Sequence, residues 1–204
     1  MRSGGVIHTP SGKGTGMARA DHFMTHLTLV EGPSTWGRPR HRRRTRSLNV
    51  TRKVATNTTA DREGLIEFLR TRQRAILLTT RDDGSPQGSP VTAGVDADGR
   101  LVVSTYPERA KVANARRNPA GSAIVLSDDW NGRWVQIWGR LEVLDLPEAL
   151  EPLVDYYRAT AGEHPDWDEY RQAMVDQGKG LLRLTIDRWG PIATGGFPAH
   201  LADA

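Results

Sequence analysis

Two short turn signals in the middle of the chain restrict its fold more than any other feature of the sequence. Residues 82–85 (Asp-Asp-Gly-Ser) and 96–99 (Asp-Ala-Asp-Gly) have the composition of tight hairpin turns. They separate three strand-length stretches, 75–80, 86–95 and 101–105. Strands joined by such short turns pair antiparallel. The sequence therefore predicts an antiparallel sheet, and without a GxGxxG or P-loop motif it argues against Rossmann and NTPase folds.

The remaining elements extend this pattern to an α+β barrel of about six mostly antiparallel strands with peripheral helices. Asp61 predicts the start of a helix over 61–72, and Pro107 is expected to open a second helix that stops before Pro119. Two further helices are predicted, one from Pro147 and one over 166–175. The other strands are expected at 122–126, 133–144 and 181–186.

Charge divides the chain into two unequal parts. Residues 1–53 hold 11 Lys and Arg against 2 Asp and Glu, a net +9, whereas residues 54–204 hold 17 against 22, a net −5. Residues 1–60 also lack apolar periodicity. We therefore predict a disordered basic N-terminal extension over 1–60, a cofactor-binding domain over 61–190 and a C-terminal tail over 191–204.

The basic extension allows two hypotheses besides a solvated tail. Its Arg-rich run, 40–46, has the charge to contact nucleic acid phosphates, although nucleic acid is an unlikely partner for the domain itself. Alternatively, translation starts at Val54, and residues 1–53 are an upstream extension that is not made in the cell. The chain has no cysteine and no apolar run of membrane-spanning length, so we expect a cytoplasmic protein without a membrane partner.

The segment 104–111 carries the strongest functional signal. Ser104 and Thr105 end a strand, and Arg109 and Lys111 follow where a helix is expected to begin. Free N–H groups at a helix start attract anions, Arg grips phosphate with a planar fork, and Lys supplies a point charge. The segment is consistent with a phosphate cradle, which Arg116 would extend, or with an exposed helix start bearing ordinary surface charges.

A second candidate is the strand over 86–92, whose prolines predict an irregular, bulged or edge strand. Its backbone either binds the edge of a ring system or protects a sheet edge from aggregation. The residues concerned are Gln87, Ser89, Pro90, Val91 and Thr92. Trp130 lies in a turn and is a candidate ligand contact, whereas Trp138 is expected to pack in a core or dimer. No metal site and no serine-hydrolase motif is indicated.

The residues 75–143 resemble the pyridoxamine 5'-phosphate oxidase-like split-barrel family. The matching pieces are Leu-Leu-Thr-Thr at 77–80, Asp-Gly-Ser-Pro at 83–86, and above all Pro-Glu-Arg-Ala-Lys-Val-Ala-Asn at 107–114 with Arg-Arg-Asn-Pro at 116–119. The run 157–174, which contains Gly-Glu-His-Pro-Asp-Trp, is similar to the actinobacterial branch of coenzyme F420-dependent enzymes. Together the resemblance covers roughly 62–190.

The resemblance implies a Greek-key split β-barrel that forms homodimers with two cofactor sites at the subunit interface. It implies that Arg109 and Lys111 bind the cofactor phosphate and that Ser104 and Thr105 line the same pocket. The strand over 87–92 would run beside the ring system, and residues near Trp130 would come from the partner chain. Arg116 or Arg117 would meet the acidic glutamyl tail of coenzyme F420.

We therefore expect an oxidoreductase that transfers a hydride from reduced coenzyme F420 to an electron-poor small molecule. Because the cofactor carries the chemistry, no catalytic residue is assigned. Two alternatives stay open: an FMN-dependent oxidoreductase on the same barrel, and a deazaflavin-binding protein without catalysis. Oxidation of vitamin B6 is not expected, since the substrate contacts of the namesake enzymes are not evident.

Overall fold

The fold is described from a computed structural model, which describes residues 53–202 of the chain. Its nine strands are β1 Asn57–Thr58, β2 Arg74–Thr80, β3 Pro86–Thr92, β4 Gly94–Val95, β5 Leu101–Thr105, β6 Ala120–Leu126, β7 Trp134–Leu144, β8 Gly180–Trp189 and β9 Ile192–Ala193. Its five helices are α1 Arg62–Arg70, α2 Ala110–Arg117, α3 Leu150–Ala161, α4 Trp167–Asp176 and α5 Ala199–Ala202. Disorder is predicted for residues 1–60, and of these, residues 1–52 lie outside the described part of the chain.

Seven of these strands form a curled antiparallel sheet in the order β3-β2-β6-β7-β8-β5-β4. Its two end strands, β3 and β4, follow each other in the chain with only Ala93 between them. Ala93 is fully buried, and its N–H donates to the carbonyl of Gln73 at 2.7 Å. Because one residue cannot bridge the two ends of a flat sheet, the sheet must curl until its ends meet. The predicted α+β split barrel is confirmed.

The expected count of six strands is wrong, because the stretch predicted as a single strand over 86–95 divides at Ala93. The first part, β3, pairs with β2 in unbroken register from Arg74–Thr92 to Thr80–Pro86. β3 therefore lies at an edge, where proline costs no ladder hydrogen bond. The two-residue strands β1 and β9 pair with each other and join residues of the predicted extension to residues of the predicted tail.

Two predicted helix starts are also displaced. α2 begins at Ala110 rather than Pro107, because residues 107–109 form a turn with an N–H bond from Arg109 to the carbonyl of Tyr106. α3 begins at Leu150 rather than Pro147 for a similar reason, since the N–H of Leu150 bonds to the carbonyl of Pro147. The predicted starts of α1 and α4 are confirmed, and the carboxylates of Asp61 and Asp166 cap them.

The interior of the curled sheet holds the main core. α1 contributes Leu65, Phe68 and Leu69, and α2 contributes Val112 and Ala115. A second, smaller core lies under α3 and α4, where Leu153, Val154, Tyr170 and Met174 pack on Val102 and Leu181 of the sheet. β5 lies between the two cores, because Leu101 and Val103 face the first core and Val102 faces the second.

One glycine in the sheet admits no side chain. At Gly139 the register between β7 and β8 shifts, and a Cβ atom there would collide with the carbonyl oxygen of Thr185. Such a bulge sharpens the local twist of a strand. Gly139 therefore allows the long strand β7 to follow the curl of the sheet.

Candidate functional site

The junction between β5 and α2 presents free backbone donors. Arg109 occupies the N-cap position of α2, and no side chain caps this helix within the described residues. The carbonyl of Arg109 accepts bonds from the N–H groups of Val112 and Ala113, whereas the N–H groups of Ala110 and Lys111 have no acceptor among the described residues. An uncapped helix start with positive side chains beside it attracts an anion.

Two cations lie over the ring of Tyr106 at this junction, and their charges act on a third cation, Lys111. The Nζ atom of Lys179 lies 3.8 Å from the centre of the ring, and the guanidinium carbon of Arg109 lies 5.8 Å from it. Burial lowers the pKa of Lys111 below its ordinary value, and the charges of Arg109 and Lys179 lower it further. We call Tyr106, Arg109, Lys111 and Lys179 the Tyr106 cation cluster.

The acidic side chains of the described residues leave this cluster without an ion pair. Within residues 53–202, none of the three cations forms an ion pair, whereas arginines elsewhere do, as in Arg74–Asp128, Arg100–Asp96 and Arg171–Glu151. Three positive charges without a carboxylate partner oppose one another, and this repulsion adds to burial, the main cause of the lowered pKa of Lys111. The cluster is therefore suited to bind a negatively charged group.

The helix α2 is tied to the sheet through Asn114, which the sequence analysis did not single out. Its Nδ2 atom donates to Thr79 Oγ1 at 3.0 Å and to Gln87 Oε1 at 2.8 Å. Its Oδ1 atom accepts from Arg117 at 2.9 Å. Asn114 is buried, so the network is held away from water. It places Gln87, a predicted cofactor contact on β3, beside the helix that carries Lys111.

The other predicted contacts on β3 lie on two sides of the strand. Ser89 and Val91 share the half-buried side with Gln87, whereas Pro90 and Thr92 lie on the exposed side. The same alternation separates Ser104 from Thr105. Thr105 is buried, and its hydroxyl donates to the carbonyl of Tyr106 at 3.5 Å, whereas Ser104 is half-buried on the opposite face. Their roles as cofactor contacts stay predictions.

Arg116 is engaged by a neighbour rather than free. Its NH2 group donates to both carboxylate oxygens of Asp145, at 2.7 and 2.6 Å, and both side chains are about half exposed. A contact between Arg116 and an acidic cofactor tail would compete with this pair. An exposed ion pair contributes little stability, so the predicted contact stays open.

Trp130 lies far from the Tyr106 cation cluster within one chain. It precedes the start of β7, whereas the end of β7 at Leu144 pairs with Leu181, next to the Thr105–Gly180 pair. The ten residue steps of β7 correspond to roughly 30 Å of strand. Trp130 is 86% exposed. The structure therefore does not bring Trp130 together with Arg109 and Lys111 of the same chain.

The outer face of the sheet, on the side away from the main core, is largely apolar. Side chains of β2, β6 and β7 alternate, so that every second residue points outward. The apolar residues of this outer face are Ile76, Leu78, Ile124, Leu126, Trp134 and Trp138, with Ser122 and Gln136 among them. An open cavity of about 400 Å³ lies at one end, with Ile76, Ile124, Trp130 and Trp134 in its lining.

The run 157–174, whose resemblance is the most specific, builds an aromatic cluster between α3 and α4. Tyr157, His164, Trp167 and Tyr170 pack against one another in edge-to-face and tilted arrangements, with ring centres 4.9–5.8 Å apart. The residues of this run thus pack α4 against α3.

Across residues 53–202 no group of three or more side chains is placed to hold a metal ion, and no helix there is long and apolar enough to cross a membrane.

Comparison with known proteins places this geometry in a family. The family model described as pyridoxamine 5'-phosphate oxidase matches residues 62–193, which include both the Tyr106 cation cluster and the outer face.

Two crystal structures share the fold. A conserved hypothetical protein from Mycobacterium tuberculosis is 22% identical, with 69% of this chain and 89% of that chain covered and a TM-score of 0.57. A candidate 5-nitroimidazole antibiotic resistance protein from Bacteroides thetaiotaomicron is 15% identical, with 71% and 92% covered and a TM-score of 0.54. Because the family model spans well over half of the sequence, the chain belongs to the pyridoxamine 5'-phosphate oxidase-like split-barrel family.

Proposed function

We propose that this protein is an oxidoreductase that binds coenzyme F420 and reduces an electron-poor small molecule. The observation that carries the proposal is the Tyr106 cation cluster, where three positive side chains meet at an uncapped helix start without an acidic partner in the described chain. A cofactor phosphate would neutralise this charge and accept bonds from the free N–H groups of α2.

The chain's own residues would bind and orient the cofactor. Lys111 is half-buried, so its charge acts through less water than that of an exposed lysine. Asn114 holds α2 against β2 and β3, which keeps the phosphate seat at a fixed distance from the strand with Gln87. When bound in its reduced form, the deazaflavin supplies a hydride from ring carbon C5 and is thereby oxidised, while the acceptor also takes up one proton.

The choice of coenzyme F420 over FMN rests on two features. The run 157–174 resembles F420-dependent enzymes, and the arginines Arg116 and Arg117 follow Lys111 on α2, where an acidic glutamyl tail could meet them. FMN is the second candidate, because it also presents a phosphate and the Tyr106 cation cluster alone does not distinguish the two. In either case the substrate is a small molecule.

We further propose that the active form is a homodimer joined through the outer face. That face leaves several large apolar side chains partly exposed, among them Ile76, Ile124 and Trp134. Contiguous exposed apolar surface of this kind is typical of an interface. Within one chain, about 30 Å of β7 separates Trp130 from the Tyr106 cation cluster. In the proposed dimer, Trp130 of one chain would instead contact the cofactor of the other.

Two measurements test the proposed function. Titration of the purified full chain with coenzyme F420 and with FMN, followed by fluorescence, ranks the two cofactors. Loss of reduced-cofactor absorbance on addition of enones, quinones or nitro compounds then detects turnover. Tight F420 binding with turnover supports the proposal, and tight FMN binding alone selects the FMN enzyme. F420 binding without turnover indicates a cofactor carrier, and binding of neither cofactor refutes the proposal.

A further inference from the structure

Lys179 enters the Tyr106 cation cluster from a distant part of the chain. β5 and β8 pair antiparallel, and their last pair joins Thr105 to Gly180. The next residues on each side, Tyr106 and Lys179, therefore face each other where the ladder ends. The ammonium of Lys179 lies 3.8 Å from the centre of the Tyr106 ring, within the range of a cation–π contact. The pairing of β5 with β8, and not the local sequence, thus adds the third positive charge to the Tyr106 cation cluster.

Lysine is rare in this chain, so the presence of two lysines at one site is informative. Beyond residue 53 the sequence contains only two lysines, Lys111 and Lys179, against 15 arginines. The fold brings both lysines to one arginine, Arg109, at the start of α2. Several arginines of the described chain pair with carboxylates, whereas none of these three cations does so in residues 53–202. The fold therefore places three positive charges together here without a carboxylate partner in residues 53–202, whereas it pairs several arginines with carboxylates elsewhere in that range.

The turn that carries Lys179 is firmly held. The N–H of Lys179 donates to the carbonyl of Met174 at 3.0 Å and closes the end of α4, and Gly178 before it adopts a φ of 60° that favours glycine. Gly180 after it is buried, and a Cβ atom there would lie 3.0 Å from the carbonyl oxygen of Leu144. Lys179 is therefore positioned by α4 and β8, and not carried by a free loop.

We infer that Lys179 is a third anion-binding residue beside Arg109 and Lys111, and that the bound group carries at least two negative charges. This inference rests on the proposed function and adds a residue from the α4–β8 turn to its site. Two sources supply such charge: the phosphate monoester of FMN, or the phosphate of coenzyme F420 together with the carboxylates of its tail.

Substitution of Lys179 tests the inference in the full chain. Lys179→Met keeps an aliphatic side chain over Tyr106 and removes the charge, so we expect cofactor affinity to fall about tenfold. Lys179→Arg keeps the charge and should restore most of the affinity. The matched control is Arg70→Ala, which removes an exposed cation at the end of α1 and should leave affinity unchanged. Unchanged affinity in Lys179→Met would overturn the inference.

A measurement on the lysines themselves separates this inference from the proposed function. Reductive methylation with ¹³C-formaldehyde labels the four lysines of the chain and keeps their charge. Titration with inorganic pyrophosphate should shift the Lys111 and Lys179 signals with one dissociation constant, while Lys53 serves as the internal control. Shifts of both signals without binding of either cofactor would support the anion site and refute the proposed function. A shift of Lys111 alone, with normal cofactor binding, would refute the role of Lys179 and leave the proposed function intact.

The two cofactors then distinguish the source of the charge. If the bound group is the phosphate monoester of FMN, Lys179→Met weakens FMN binding, and its effect on F420 binding does not depend on the number of glutamates in the tail. If tail carboxylates contribute, the effect of Lys179→Met on F420 binding grows with the number of glutamates. An equal and small effect of Lys179→Met on every ligand would contradict the claim of a multiply charged group.

Discussion

Asn114 of α2 and Thr79 of β2 are joined by a buried hydrogen bond, with 3.0 Å between Nδ2 of Asn114 and Oγ1 of Thr79. The same amide also bonds to Gln87 at 2.8 Å. Replacing Asn114 with Leu would leave both partners without their donor, and a buried group that loses its partner costs about 1–3 kcal/mol. We therefore expect Asn114→Leu to lower the free energy of unfolding by that amount in urea titration.

The matched control for Asn114 is Asn131→Ala, which truncates an exposed asparagine in the turn before β7. Its effect on the free energy of unfolding should stay within about 0.5 kcal/mol. Equal stability of the two variants would show that the network around Asn114 does not hold α2 in place.

The affinity for an anionic cofactor should depend on pH through Lys111. Burial, together with Arg109 and Lys179, holds the pKa of Lys111 below its ordinary value of 10.5, and a bound anion should raise that pKa again. Binding therefore takes up a proton, and affinity falls as pH rises through the lowered pKa. Calorimetric titration at a series of pH values approaching the ordinary lysine pKa of 10.5 from below should show this fall in the wild type.

Lys111→Arg provides the control for the pH dependence, because arginine stays charged to above about pH 12. Its affinity should vary much less over the same range. A wild-type affinity as flat as that of Lys111→Arg would mean that Lys111 does not face the bound anion.

Stability at alkaline pH should depend on Tyr170. Burial, followed by the influence of Tyr156 and Tyr157, raises the pKa of Tyr170 from its ordinary value of 10.0 to about 12. Its hydroxyl donates to the carbonyl of Leu153 at 3.1 Å. Because the folded-state pKa is raised, this stabilisation is complete below about pH 10 and is lost as pH rises towards 12. We expect Tyr170→Phe to cost about 1 kcal/mol at pH 8.

The difference in unfolding free energy between wild type and Tyr170→Phe isolates this residue from other groups that titrate at high pH. Denaturant titrations at several pH values should give a constant difference below about pH 10 and a shrinking one above it. A difference that grows with pH would contradict the buried, neutral state of Tyr170.

The proposed dimer predicts that a charge on the outer face separates the subunits. Ile124 lies in the centre of that face, between Ile76 and Gln136 on the neighbouring strands. Ile124→Glu should convert a dimer to a monomer in size-exclusion chromatography with light scattering, because an unpaired buried carboxylate is costly. Val175→Glu, on an exposed position of α4, is the control and should remain dimeric. A monomeric wild type would remove the basis for a shared site.

Local sequence signals predicted the hairpin turns, the helix start at Asp61, the helix over 166–175, and the cationic pair Arg109 and Lys111, because each depends on neighbours in the chain. The extra strand was not predicted because no local sequence signal shows that the chain passes at Ala93 from one end strand of the sheet to the other. The meeting of Lys179 with Tyr106 depends on the register of β5 and β8, which residue types alone do not determine. Asn114 was overlooked because a polar residue in a helix ordinarily faces water.

The affinity of the Lys111→Ala variant for the cofactor tests most directly whether the Tyr106 cation cluster holds the cofactor phosphate. Fluorescence titration should show at least a tenfold loss relative to wild type, since one charged contact is worth roughly 1.5–3 kcal/mol, while Arg70→Ala binds normally. Circular dichroism would verify that the variant is folded. If folded Lys111→Ala binds the cofactor as tightly as the wild type, the phosphate lies elsewhere and the proposed function loses its structural basis.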